Sequence, residues 1–173
     1  IMTESVSETV IPDYSGDGWY ITDGTLYISK IYYRIINLSG KYKCLYESPW
    51  TNHAKEIINV VIDGEMVYKK ESEITGNTAD DCYVVGNAFD GGGPLLAGMP
   101  GVKSVVVKKL DLDMITDIAY MFSGMVELSY LDLAGLDTAG VTDASYLLYG
   151  NEALTSVDLE QLNTSSFENI SHI

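Results

Sequence analysis

Few residues in this 173-residue chain are of types that do chemistry, and their spacing limits what that chemistry can be. The two histidines, His53 and His172, lie far apart, and neither has a paired nucleophile. There is no GxSxG elbow, no HExxH helix and no phosphate loop. Gly91-Gly92-Gly93-Pro94 lacks the Lys-Ser/Thr that would have to follow it in such a loop. Cys44 and Cys82 sit in different segments without CxxC spacing or histidine company, which speaks against zinc. They are open to two readings, a disulfide in an oxidising compartment or two buried thiols. The aspartates invite a calcium reading, yet they form neither the D-x-D-x-D-G pattern of an EF-hand nor the GGxGxDxUx pattern of a calcium β-roll. Asp111, Asp137 and Asn163 recur instead at one loop position, where such side chains satisfy turn backbone. No metal, no cofactor and no catalytic residue is expected, and the chain reads as a non-enzyme.

The overall charge narrows the partners. A formal net charge of -15 opposes nucleic acid and anionic lipid, both of which select for Lys and Arg. It favours solubility and repulsion between copies. Apolar residues make up 46% of the chain, enough for a packed core, and no apolar run approaches the ~18 to 20 residues of a membrane helix. The start, Ile1-Met2-Thr3-Glu4, has no basic stretch or apolar h-region, which by itself assigns no compartment.

The elements that position these residues follow from an internal repeat. The step from Val102 to Leu128, and again from Leu128 to Leu154, is 26 residues. The apolar positions stay in phase: Val105, Leu131 and Val157; Val107, Leu133 and Leu159; Leu110, Leu136 and Leu162; Ile118, Ala144 and Ile170. Each unit opens with an L-x-x-L-x-L pattern, which predicts a short strand, as at Leu128, Leu131 and Leu133. After a loop come apolar residues at i, i+3, i+6 and i+7 (Val141, Ala144, Leu147, Leu148), which predict a helix ending at Gly150. Copies of such a unit bury their faces by stacking. The expected fold is therefore α/β: a leucine-rich-repeat solenoid with a parallel sheet on one face and short helices on the other, behind a hairpin-containing cap.

The expected boundaries are a linker over 1–16, a cap over 17–56 and repeats over 57–173, with strands near 57–62, 102–107, 128–133 and 154–159. The chain is expected to stop inside a repeat, as a truncation of something longer, with frayed order after about Asn163. In the cap, Asp23-Gly24 between two alternating runs predicts a hairpin, and Ser48-Pro49-Trp50 leads into a short helix capped by Thr51 or Asn52. Trp19 and Trp50 are expected in the core. The stretch Val85 to Phe89 reads as the end of an irregular helical part, Glu71 to Asp81 as a polar loop, and GGGPLLAG as an inserted loop.

The segments ITDIAYMFSGMVELSYLDL and LDTAGVTDASYLLYGNEALTSVDL resemble the BspA-like leucine-rich repeats of bacteria, and WYITDGTLYIS, Pro49-Trp50 and INVVIDG are similar to the lead-in of those proteins. The likeness runs from about Gly16 to the end. Where that family carries Cys after Gly, this chain has Met125 and Asn151. The resemblance implies a secreted or cell-surface location and a role in adhesion to host matrix or to other proteins.

Strand residues alternate sides, so with Leu128, Leu131 and Leu133 inward, two ladders face out: Ser104, Tyr130, Ser156 and Val106, Asp132, Asp158. This is the expected partner-binding face. Asp132 beside Asp158 is a like-charge pair, mildly unfavourable on neighbouring strands. The main alternative to a binder is a passive spacer repeat. Thirteen tyrosines lean toward a binder, because amphipathic Tyr suits interfaces.

Overall fold

A computed structural model of the chain describes residues 11–38, 41–70, 83–87, 94–96 and 98–172. Its frame is one mixed sheet of eight strands: β1 Tyr14–Gly16, β2 Trp19–Thr22, β3 Thr25–Leu38, β4 Lys41–Glu47, β5 Asn59–Tyr68, β6 Tyr83–Asn87, β7 Ser104–Asp111 and β8 Tyr130–Asp132. The main order is β1-β2-β3-β5-β7-β8. The strand β4 pairs with the outer half of β3, and β6 pairs with β4. A 3-10 helix over Pro49–Glu56 joins β4 to β5.

Local chemistry explains the antiparallel end. Asp23 and Gly24 both take positive φ, 48° and 74°, the requirement of the tight turn whose twist matches two antiparallel strands. Thr22 then faces Thr25, and Trp19 faces Ile28. From β3 onward the pairing becomes parallel. Leu26, Val60, Val105 and Leu131 form one inward row, and Ile28, Ile62 and Val107 a second. All seven are buried. The same core takes in Leu95, Leu96 and Met99 from the segment after the glycine run, and Ile118, Met121, Phe122, Ala144 and Leu147 from the repeats.

Two glycines sit where the sheet allows no side chain. A Cβ on Gly64 would lie 1.8 Å from Ser29 O, beside the irregular pairing of β3 with β5, and one on Gly135 would lie 2.0 Å from Lys108 O.

The expected helix-backed leucine-rich-repeat solenoid does not form. The described residues contain no α-helix, and the 3-10 helix at Pro49–Glu56 is their only helical element. Where the repeat predicts helices, the chain makes successive turns. Some N–H groups close turns three residues back, as Met121 to Ile118 O and Ser123 to Tyr120 O. Others cross to the next copy: Ile118 to Asp143 O, Tyr120 to Ser145 O, Phe122 to Leu147 O and Gly124 to Tyr149 O. A helix would bond each N–H four residues back. It is blocked here by left-handed residues at Tyr120 (φ 64°), Gly124 (77°), Tyr146 (56°) and Gly150 (79°). Apolar spacing of three suits a run of turns as well as it suits a helix face.

Other expectations also change. Residues 154–159 are not a paired strand. The stretch ending at Asn87 is a strand along β4, in keeping with its β-branched Val84-Val85, whereas Ala88-Phe89 and the polar segment 71–82 lie outside the described residues. Pairing begins at Tyr14, inside the stretch read as linker. The cap position of the short helix is Ser48 rather than Thr51 or Asn52, with the Thr51 hydroxyl donating to Ser48 O at 2.8 Å. Trp50 is buried and Trp19 packs against the core. Cys44 lies in β4, while Cys82, and with it the question of a bridge, lies outside the described residues.

Candidate functional site

Strand register builds the outer face of the sheet. Ser104 faces Tyr130 and Val106 faces Asp132 across β7 and β8, so four of the six expected face residues share two adjacent strands. Ser156 and Asp158 are exposed on the following segment, which runs alongside without strand pairing. Between β8 and that segment lies a groove of about 280 Å³, lined among others by Tyr130, Asp132, Ser156, Asp158 and Gln161. Loss of pairing at 154–159 leaves this space open.

The two aspartates of the groove are engaged locally. Ala134 N donates to Asp132 Oδ1 and Glu160 N to Asp158 Oδ1, each at 2.9 Å, and Gln161 Nε2 lies 3.4 Å from Asp158 Oδ2. Each carboxylate thus holds the turn that follows it. The positions read from sequence as turn residues do the same: Asp113 N, Ala139 N and Ser165 N donate to Asp111, Asp137 and Asn163. A third set, Asp117, Asp143 and Asn169, accepts from Ala119 N, Ser145 N and Ser171 N. Among the described residues, no group of three or more His, Cys, Asp or Glu is placed to hold a metal ion.

The face is wider than the sequence indicated. Register carries the Ser104–Tyr130 row back through Asn59 to Thr25, and the Val106–Asp132 row back through Val61 to Tyr27 and Tyr20. Tyr20 and Tyr27 stack with ring centroids 4.7 Å apart. Ser104 Oγ donates to Asn59 Oδ1 at 2.7 Å, tying neighbouring strands across the face. The result is a strip across five strands, Tyr20-Tyr27-Val61-Val106-Asp132, beside a polar row that ends in Tyr130, 56% exposed. The alternation in WYITDGTLYI is a visible signal for Tyr20 and Tyr27. Their placement beside Val61 depends on the parallel pairing of β3 with β5, which no local pattern specifies.

This surface offers phenol rings, aliphatic side chains, hydroxyls, an amide and carboxylates. It can bury apolar area and form hydrogen bonds, but it holds no nucleophile paired with a base. The tyrosines with displaced pKa lie elsewhere. Tyr32 is raised to about 12, chiefly by its hydrogen bond to Asp17, and Tyr14 is raised chiefly by its hydrogen bond to Glu56. Among the described residues no helix is long and apolar enough to cross a membrane. No protein-family model matches this chain, and neither a curated protein nor a solved structure matches it.

Proposed function

We propose that this chain is a non-catalytic recognition module, displayed on a bacterial surface or secreted, that takes a protein partner on the outer face of its sheet. The observation that carries this reading is the strip Tyr20-Tyr27-Val61-Val106, an aromatic and aliphatic band across four paired strands on the side away from the core. Aromatic residues are enriched at interfaces, where a fixed ring contributes contact area at low entropic cost. The polar row with Asn59, Ser104 and Tyr130 supplies the hydrogen-bonding margin that such an apolar band needs. Location outside the cell rests on the motif likeness to BspA-like surface proteins. The acidic surface fits a partner that is neutral or basic at its contact.

The test is binding of the immobilised chain to host-matrix proteins and to intact host cells. Wild type is compared with a Tyr20→Ser/Tyr27→Ser variant and a Tyr130→Ala/Asp132→Asn variant of unchanged circular dichroism. Loss of binding in both is expected. A ligand bound equally well by all three proteins removes the face from consideration, and absence of any ligand favours the spacer.

A further inference from the structure

The aromatic and aliphatic strip of the sheet ends in charge. From Tyr20, Tyr27, Val61 and Val106 it runs to Asp132, and Asp132 is one side of the groove between β8 and the segment after it. Asp158, 26 positions later, lines the same groove from that segment. Two carboxylates therefore flank one narrow space.

The chain itself does not neutralise them. Among the described residues, neither Asp132 nor Asp158 forms an ion pair with Lys, Arg or His. All ten Lys and Arg residues precede Leu110, so from there on the chain carries carboxylates and neither of those cations. The turn N–H groups of Ala134 and Glu160 occupy one oxygen of each carboxylate. These donors are neutral, so they fix the side chains and leave the charge in place. Two like charges close together repel each other until a cation stands between them.

The rest of the lining selects the kind of cation. Tyr130, 56% exposed, presents its ring from β8. Ser129, Ser156 and Gln161 add exposed oxygen acceptors. A guanidinium meets all of these at once. Its five N–H donors form a fixed fork that reaches carboxylates on two sides, and its flat face stacks on a phenol ring. An ammonium is a compact point charge without that fork. A volume of about 280 Å³ suits one side chain rather than a folded element.

We infer that this groove takes an arginine side chain of the protein partner, the charged anchor at the end of the apolar strip. The inference rests on the reading of the sheet face as the partner's seat. Arginine and tyrosine are enriched among the residues that dominate interfaces. A single charged anchor also sets the register of the partner along an otherwise uniform strip.

The groove is tested without the partner. Nα-acetyl-arginine N-methylamide is titrated into the ¹⁵N-labelled full chain, with the citrulline and lysine analogues and calcium chloride in parallel. Saturable amide shifts at Tyr130, Asp132, Ser156 and Asp158 are expected with arginine, with an affinity at least tenfold above that of uncharged citrulline and above that of lysine. The Asp132→Asn/Asp158→Asn variant keeps an oxygen for each turn N–H, so the turns stay formed, and should bind the arginine probe at least tenfold more weakly. The probe has no surface for the strip, so it reads the groove alone. The strip is read by the Tyr20→Ser/Tyr27→Ser variant against a whole partner, and the two readings fail separately. The proposal is overturned by arginine that gives no saturable shift, by equal affinity for citrulline or lysine, or by full affinity in the Asn variant. Shifts as large at the exposed Asp137 and Glu168 would mark diffuse counter-ion attraction and overturn it too, as would calcium alone producing the same saturable shifts.

Discussion

The ring of Tyr146 lies flat on the ring of Tyr120, 26 positions earlier, with centroids 4.8 Å apart and planes 5° from parallel. His172 continues the stack at 4.7 Å, and Tyr149 meets both tyrosines edge-on. All three stacked residues take positive φ. The left-handed turn that rules out a helix is therefore also what lines up the rings from copy to copy.

Two substitutions separate these effects. Tyr146→Ala loses the ring contacts, aromatic pairs being worth roughly 0.5 to 1.5 kcal/mol each, and should cost about 2 kcal/mol in urea unfolding. Tyr146→Gly loses the same contacts but removes the left-handed penalty of roughly 1 to 2 kcal/mol. It should be the more stable of the two despite its smaller side chain. The reverse order would show that backbone strain plays no part at this turn.

Asn151 is a buried bridge between copies. Its Oδ1 accepts from Met125 N at 2.9 Å and its Nδ2 donates to Phe122 O at 2.6 Å. Asn151→Ala strands both backbone groups, and at roughly 1 to 3 kcal/mol for each unsatisfied group the loss should be about 2 to 4 kcal/mol by denaturant melt. Exposed Asn163→Ala, which removes only the solvent-exposed hydrogen bonds its Oδ1 accepts from the Ser165 N–H and hydroxyl, should cost about 1 kcal/mol or less.

Gly64→Ala drives a methyl into Ser29 O and should cost about 3 kcal/mol or abolish soluble expression. Gly140→Ala, with nothing within 4 Å of the new Cβ, should be neutral or stabilise by roughly 0.5 kcal/mol through the unfolded chain. Thermal melts of the two proteins side by side decide this.

The Tyr32 pKa, raised to about 12 by its bond to Asp17, gives a signed pH dependence. Folding holds the proton more tightly than the unfolded chain does. This contribution is therefore fully present below pH 10, the ordinary tyrosine value, and is lost as pH rises from 10 toward 12. Tyr14 is shifted the same way by Glu56. On a Tyr14→Phe background, Tyr32→Phe should flatten the fall in stability across that window. Tyrosinate absorption should likewise lose a component that titrates near pH 12.

The period of 26, the inward rows of Val and Leu, the Asp23-Gly24 hairpin and the turn role of Asp111, Asp137 and Asn163 were all legible in the residues themselves. Each depends on local chemistry: side-chain alternation, left-handed φ at a turn, a short carboxylate or amide reaching a backbone N–H two residues on. Four of the six face residues came with them, because alternation alone places Ser104, Val106, Tyr130 and Asp132 outward. Tertiary structure decided the rest. Apolar spacing of three is satisfied by a helix or by turns. The choice fell to turns because the N–H groups of Ile118, Tyr120 and Phe122 find acceptors about 25 residues away, which no window of sequence contains. The same non-local pairing places Tyr27 beside Val61, leaves 154–159 off the sheet edge, and so opens the groove that Asp132 and Asp158 flank.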